Sequence, residues 1–181
     1  FKIVTMTHNE TSTGVTNPIK DIVAEIKKHG ALSVVDGITS IGAIDCKQDE
    51  WGIDVLVSGS QKGFMIPPGL SFLSASEKAF EVHKKCEYPD FYFNWTDAKK
   101  NYDKDTTPWT PAVNLVVALD KAFEMLKEEG LENIKNMLKT KNPEALKKCE
   151  IYNANKEKEL LQRKSQKHHK VIKEEKSSSD A

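Results

Sequence analysis

The 181-residue sequence contains one arginine, Arg163, so almost all of its positive charge comes from lysine. Lysine and arginine together number 27 and match the 27 acidic residues, which leaves no net charge to attract nucleic acid or an anionic membrane. The sequence also lacks a signal-peptide pattern and an apolar run of about 20 residues, the length that a membrane helix needs. We therefore expect a cytoplasmic protein whose partners are small molecules or proteins, with no nucleic acid and no membrane among them.

Cysteines are few, and their spacing fits neither disulfides nor zinc. Cys46, Cys86 and Cys149 are odd in number, far apart and never in a CxxC pattern. Disulfide frameworks and zinc sites need paired or closely spaced cysteines. We expect free thiols in a reducing compartment and no metal site.

The order of apolar runs and turn residues predicts an α/β fold. Strands are predicted at 2–6, 31–35, 53–57 and 71–74, where short apolar runs end in polar or glycine-rich segments. Helices are predicted at 18–29, 78–85, 111–129 and 131–138, where apolar residues recur at helical spacing. Because the first strands alternate with helices, we expect a mainly parallel sheet flanked by helices.

Residues with strong positional preferences mark the ends of the two longest predicted helices. Asn17 is the predicted N-cap of the first, and Gly30 is its predicted terminator. Thr110 and Gly130 have the same predicted roles for residues 111–129. Beyond the last of these helices, apolar residues become rare. Residues 135–181 are predicted to be a Lys/Glu-rich helical segment ending in a disordered tail.

A carboxylate and an amine follow two of the predicted strands. Asp36 ends the run SVVD, and Lys62 follows the run VLVSGSQ. In open α/β sheets, ligands bind at the carboxyl edge of the strands, so these two side chains are candidates for one pocket. Most Asp and Lys residues at strand ends are ordinary loop residues that form turns or surface contacts. Structural ion pairs between them can resemble functional sites.

One chemistry that needs this pair is that of pyridoxal 5′-phosphate (PLP). Its aldehyde is held by a lysine amine, and a carboxylate keeps its ring nitrogen protonated so that the ring can accept electrons from the substrate. Partial desolvation of Lys62 would favour its neutral, nucleophilic form. Once displaced, the same amine can carry the proton of the substrate α-carbon.

Two segments, THNETSTGVTNPI and SVVDGITSIGAIDCKQDEWGIDVLVSGSQKGFMIPPGLSFLSASEKA, resemble the class V aminotransferases. The nearest subgroup is that of alanine-glyoxylate and serine-glyoxylate (serine-pyruvate) aminotransferase, and the resemblance covers residues 3–134. It implies part of the large PLP-binding domain of the fold type I aminotransferases. It also implies a homodimer that moves an amino group from alanine or serine to glyoxylate or pyruvate, so the substrates are small amino acids and 2-oxo acids.

The resemblance implies a role for six residues. Lys62 matches the Schiff-base lysine, Asp36 the partner of the pyridine nitrogen, and Ile38 the aliphatic residue under the ring. The remaining matches are to polar groups of the cofactor: Gln61 at the phosphate, Thr11 at the polar edge, and Thr110 at the phosphate of the other subunit. Three of the six have an ordinary alternative, because Ile38 suits any core, Gln61 can satisfy a loop, and Thr110 suits an N-cap.

The sequence departs from the family in several places. The family's glycine- and serine-rich phosphate turn would precede Phe1, and a threonine, Thr107, replaces a tyrosine of the phosphate site. Arg163 lies in the divergent tail, so it is not assigned to the substrate carboxylate, which the family binds with an arginine. We expect a fragment, with a partial large domain at 1–134 and a divergent segment at 135–181.

Other interpretations remain open. The chain could be a non-catalytic truncated homologue or a dimerisation partner. A cysteine desulfurase-like enzyme is disfavoured, because Gln61 replaces the histidine before the lysine and because Cys46 and Cys86 suit incidental thiols. His8 is more typical of a structural histidine than of a ligand. The aromatic residues between Tyr88 and Trp95 indicate packing or a dimer interface rather than base stacking.

Overall fold

A computed structural model describes residues 2–88 and 90–141. Phe1, Arg163 and the predicted tail lie outside the described residues, as does most of the predicted segment 135–181. The described strands are β1 (Ile3–Thr7), β2 (Leu32–Asp36), β3 (Val55–Gly59) and β4 (Ser71–Ala75). The described helices are α1 (Ile19–Lys28), α2 (Gln48–Trp51), α3 (Glu77–His83), α4 (Trp95–Tyr102), α5 (Val113–Glu129) and α6 (Leu131–Lys141).

The four strands form one sheet in the order β1-β2-β3-β4. The first three are parallel, and β4 is antiparallel to β3. In this register Thr7 lies beside Asp36, and Asp36 lies beside Val57. The α/β class and the mainly parallel sheet are therefore confirmed. The carboxyl ends of β1, β2 and β3 meet at one edge, where the candidate residues follow the strands.

One face of the sheet is covered by α1. Ile19, Val23 and Ile26 recur at helical spacing on α1 and are buried. Ile19 and Val23 pack with Val35 of β2 and Leu56 of β3 in the main hydrophobic cluster. Alternation along the strands sends the neighbouring side chains to the opposite face. That face is more open, since its members Thr5 and Leu73 are exposed.

The predicted helix N-caps are wrong, whereas the glycine terminators are confirmed. The N-cap of α1 is Pro18, because the side chain of Asn17 instead donates a hydrogen bond to the carbonyl of Thr7 at 2.8 Å. The N-cap of α5 is Ala112, which places Thr110 outside the helix. Gly30 follows α1 with a φ of +69°, a left-handed conformation that glycine adopts without strain.

Helices α2 and α4 were not predicted from the sequence. The four residues of α2 are too few to have a recognisable apolar period. In α4 no side chain is buried, so burial periodicity gives no signal there either. A capping signal was present at α4, where the Asn94 side chain accepts a hydrogen bond from the Asp97 amide at 2.7 Å. Among the described helices, none has the length and apolar content to cross a bilayer.

Candidate functional site

A cavity of about 200 Å³ lies at the carboxyl edge of the parallel strands. Three loops form its wall, one after each of β1, β2 and β3. The residues that line it are Thr7, Asn9, Glu10, Thr11, Asp36, Ile38, Thr39 and Lys62. Four of the six residues in the sequence-based site are in this set, and Asp36 and Lys62 therefore face one pocket, as the strand-end argument expected. We call it the strand-end cavity.

Asp36 is held by the backbone around it. It is the last residue of β2 and is half-buried. Its Oδ1 accepts a hydrogen bond from the Ile38 amide at 2.9 Å, and its carbonyl accepts one from the His8 amide at 2.9 Å. Within residues 2–88 and 90–141, Oδ2 accepts no hydrogen bond. The carboxylate is thus fixed through one oxygen while the other is available to a ligand.

Lys62 enters the same cavity from the loop after β3. No residue of the described part of the chain forms a hydrogen bond or an ion pair with its Nζ. The carbonyl of Lys62 accepts a hydrogen bond from the Met65 amide at 2.9 Å, which closes a tight turn after the lysine. The side chain is exposed, which differs from the partial desolvation expected from the sequence.

Thr39 and Asn9 join the loops after β1 and β2. The Thr39 hydroxyl donates to the Asn9 carbonyl at 2.5 Å and accepts from Asn9 Nδ2 at 3.4 Å. The Thr16 hydroxyl donates to Asn9 Oδ1 at 2.9 Å, which fixes the other side of the asparagine. These bonds hold the Thr11 loop beside the Asp36 loop. Asn9 and Thr39 were not predicted as site residues, although both lie within the polar segments THNETSTG and DGITSIG.

The loops after β2 and β3 cross at two glycines. A Cβ on Gly63 would lie 2.1 Å from the Ile41 carbonyl oxygen, and a Cβ on Gly42 would lie 3.0 Å from the backbone of Gly63. Gly42 also has a φ of +84°, which disfavours any side chain. A close approach of two backbones therefore sets the position of Lys62, which immediately precedes Gly63. Gly63, directly after Lys62, is the sequence feature that could have predicted this close approach.

Gln61 and Thr110 do not line the strand-end cavity. The Gln61 side chain is exposed and lies over Gly59, with its Oε1 3.1 Å from the position of a Cβ there. Thr110 is exposed before α5. The hydroxyl of Thr107, which stands where the family has a tyrosine, donates to the Trp109 carbonyl at 2.8 Å. The phosphate-binding roles of Gln61 and Thr110 stay predictions.

His8 and Cys46 belong to the interior rather than to the strand-end cavity. His8 is buried, and its ring packs edge-on against Trp51 with centroids 5.8 Å apart. Burial lowers the pKa of His8 and raises the pKa of the half-buried Cys46 thiol. Both directions favour the neutral form, which fits a structural histidine and an unreactive thiol. Within the described ranges, no three His, Cys, Asp or Glu side chains are grouped to hold a metal ion.

The sequence matches the family model for class V aminotransferases over residues 1–174, beyond the expected limit at 134. It is 53% identical over 134 residues to the small subunit of a soluble hydrogenase from Synechococcus sp. (strain PCC 6716), covering 74% of this chain and 35% of that protein. It is 44% identical over 137 residues to the serine-glyoxylate aminotransferase of Arabidopsis thaliana, covering 74% of this chain and 34% of that enzyme. The chain thus spans about a third of the length of these relatives.

A solved structure shows the same arrangement of strands and helices. The pyridoxamine-pyruvate aminotransferase of Mesorhizobium loti aligns with a TM-score of 0.70 at 30% identity, over 75% of this chain and 35% of that protein. Its fold is that of the fold type I aminotransferases, as expected from the sequence resemblance. A family match over residues 1–174 thus agrees with the fold of a solved aminotransferase, and the chain belongs to the class V aminotransferase family.

Proposed function

We propose that this chain binds PLP through Lys62 and takes part in moving an amino group from alanine or serine to glyoxylate or pyruvate. One observation carries the proposal. An amine and a carboxylate, Lys62 and Asp36, line the same cavity at the carboxyl edge of neighbouring parallel strands. Each has a polar atom without a partner in the described part of the chain, which is the state expected of groups that bind a ligand.

The residues of the strand-end cavity fit PLP. When bound, PLP supplies a ring that accepts electrons from the substrate α-carbon. Asp36 Oδ2 is available to hold a protonated ring nitrogen, while Oδ1 stays on the Ile38 amide. Ile38 provides an aliphatic surface for one face of the ring, and the Thr11 hydroxyl provides a polar contact at its edge. The free amine of Lys62 can hold the cofactor and later move a proton at the α-carbon.

The substrate class rests on the named relatives. The Arabidopsis relative is a serine-glyoxylate aminotransferase, and the Mesorhizobium structure is a pyridoxamine-pyruvate aminotransferase. Small amino acids and 2-oxo acids are short enough to enter the strand-end cavity beside Lys62. The described residues contain no arginine, the residue type that suits bidentate binding of a substrate carboxylate. We therefore propose these substrates for the assembled enzyme.

Attachment of PLP to Lys62 tests the proposal directly. The purified chain is incubated with PLP, reduced with borohydride and digested, and the peptides are measured by mass spectrometry. We expect the added mass of the reduced cofactor on the peptide that contains Lys62. The Lys62→Ala variant should lose this label, whereas Lys47→Ala, a change at an exposed lysine paired with Glu50, should keep it. Equal labelling of many lysines, or none on Lys62, would contradict the proposal.

A second candidate function is that of a non-catalytic partner chain. Two observations favour it, namely the exposure of Lys62 and the absence of arginine from the described residues. In this case PLP binding or transamination appears only when another chain supplies the missing groups. Transaminase assays of the purified chain, alone and mixed with a full-length class V aminotransferase whose own lysine is replaced, separate the two functions. Turnover by the chain alone would exclude the partner function.

A further inference from the structure

A second cavity, of about 510 Å³, also borders Lys62. Lys62 and Thr39 line both this cavity and the strand-end cavity. Its remaining lining comes from the two crossing loops and from α5 and α6: Gly42, Ala43, Gly63, Met65, Met125, Leu126, Glu129, Ile134 and Met137. We call it the methionine cavity, because three of the four methionines of the chain line it.

The walls of the methionine cavity are held together across the fold. Lys135 of α6 forms an ion pair with Asp45, which follows β2, at 2.8 Å, and a second with Glu132 at 2.5 Å. The Lys135 side chain is 15% exposed and the Asp45 side chain is 51% exposed, so solvent partly screens the pair. This pair fixes α6 against the loop that carries Gly42 and Ala43. The cavity therefore lies between two elements that this contact joins.

Met65, which lines this cavity, occupies an unfavourable backbone conformation. Its φ of +59° is in the left-handed region, which disfavours residues with a side chain. Strain of this kind is found at ligand sites more often than elsewhere. The turn after Lys62 imposes it and places the Met65 side chain on the lining of the cavity. Methionine is flexible and polarisable, so three of them suit apolar groups of varied shape.

We propose that the methionine cavity binds the aliphatic side chain of the amino acid or 2-oxo acid that reacts at Lys62. The inference rests on the proposed function and extends it by naming the substrate class. A molecule whose reacting carbon lies beside Lys62 Nζ can extend from the strand-end cavity into the methionine cavity, because Lys62 and Thr39 border both. A volume of about 510 Å³ is in the usual range for ligand pockets. Glyoxylate has no side chain and leaves this space empty, so longer aliphatic substrates should bind better.

The methionines themselves provide the test. Protein labelled with ¹³C at the methionine methyl groups gives four NMR signals, since the sequence has four methionines. Straight-chain 2-oxo acids from glyoxylate to 2-oxohexanoate are titrated in turn. We expect saturable shifts at Met65, Met125 and Met137, and no shift at Met6, which packs against the hydrophobic core on the α1 face. Binding should tighten about two- to fourfold for each added methylene.

Two variants of α5 make the test specific. Met125 lines the methionine cavity, whereas Val117 does not, and both side chains are exposed. Met125→Lys should abolish the gain with chain length, Met125→Leu should keep it, and Val117→Lys should leave the titrations unchanged. Equal affinity for all chain lengths would overturn the inference. Equal binding of straight-chain alcohols would do the same, because the cavity would then select for apolar groups alone.

The labelling experiment separates this inference from the proposed function. PLP on Lys62 without a dependence on chain length would overturn the substrate class and leave the proposed function intact. A dependence on chain length without PLP on Lys62 would overturn the proposed function, and with it the claim that the cavity serves a reaction at Lys62.

Discussion

Adjacent residues at the end of β1 have different environments because side chains alternate along a strand. Thr7 lines the strand-end cavity, whereas the next residue, His8, is buried on the other side of the sheet beside Trp51. Within the described residues, His8 Nδ1 has no hydrogen-bond partner. A charged imidazole would therefore be destabilised there, and the pKa of His8 is lowered by the loss of solvent around it.

The lowered pKa of His8 predicts a loss of stability in mild acid. Between the folded pKa and the ordinary value of about 6.5, the unfolded chain binds more protons than the folded chain. The stabilisation is therefore complete above about pH 6.5 and decreases as the pH falls through the folded pKa. Urea unfolding at several pH values should show a smaller decrease in the free energy of unfolding for His8→Phe than for the wild type. His29→Gln, at an exposed position, serves as control. An identical pH dependence for His8→Phe and the wild type would contradict the prediction.

At the scale of elements, the candidate site depends on loops that are joined to one another. The Asn9–Thr39 hydrogen bonds join the loops after β1 and β2, and the close approach of Gly42 and Gly63 joins the loops after β2 and β3. Each of these loops carries a predicted cofactor residue. The spacing between these residues is therefore set by contacts between loops, in addition to the register of the sheet.

A side chain at Gly63 should displace the lysine loop. Its Cβ would lie 2.1 Å from a backbone oxygen, so one loop must move. We expect Gly63→Ala to lower stability by about 1–3 kcal/mol and to reduce labelling of Lys62 by PLP. Gly30→Ala is the matched control, since it costs about 1–2 kcal/mol for its positive φ but meets no atom within 4 Å. Its Lys62 labelling should be normal. Normal labelling of the Gly63 variant would show that the crossing does not position Lys62.

A buried carboxylate, that of Asp54, joins β2, β3 and α3 at the end of the sheet opposite to the strand-end cavity. Asp54 is 4% exposed and accepts hydrogen bonds from the amide and hydroxyl of Ser33 on β2, at 2.9 and 3.2 Å, and from the hydroxyl of Ser76 at the start of α3, at 3.2 Å. We expect Asp54→Ala to lower the free energy of unfolding by about 2–4 kcal/mol, because the Ser33 amide loses its acceptor. Denaturant unfolding measures this loss. Asp49→Ala, an exposed change on α2, should stay within about 0.5 kcal/mol. Similar losses in both variants would contradict this role.

At the scale of the whole molecule, the chain leaves large apolar surfaces uncovered. Phe91 and Phe93 are 78% and 81% exposed, and Tyr92, which stacks on Trp109, is 59% exposed. Exposed aromatic residues of this number are typical of interfaces rather than of free surface. They support the homodimer that the family resemblance implies.

The dimer can be tested at the exposed aromatic segment. Sedimentation velocity over a range of protein concentrations should reveal a dimer of the wild-type chain. Phe93→Glu should shift the equilibrium towards the monomer, because it would bury a charge in the interface. Lys20→Glu, an exposed change on α1 away from this segment, should not. A wild type that stays monomeric at all concentrations would contradict the dimer of this chain alone.

The strands, the mainly parallel sheet and the position of Asp36 and Lys62 on one cavity could be predicted from the sequence. Each follows from local order along the chain, because apolar runs define strands and parallel strands place the residues after them at one edge. The helix N-caps could not be predicted, because Asn17 has a tertiary partner, the Thr7 carbonyl, that competes with capping. Helix α4 was missed because none of its side chains is buried.

What the sequence by itself determined is the family, the order of the four strands and the two groups expected to hold the cofactor. Only the tertiary structure decided that Asn9 and Thr39 connect two loops, that Gly63 approaches the Ile41 carbonyl, and that Lys62 borders a second, methionine-lined cavity. The physical reason is sequence distance. Asn9 and Thr39 are 30 positions apart, and Asp45 and Lys135 are 90 apart, so contacts of this kind exist only after the sheet and helices have packed.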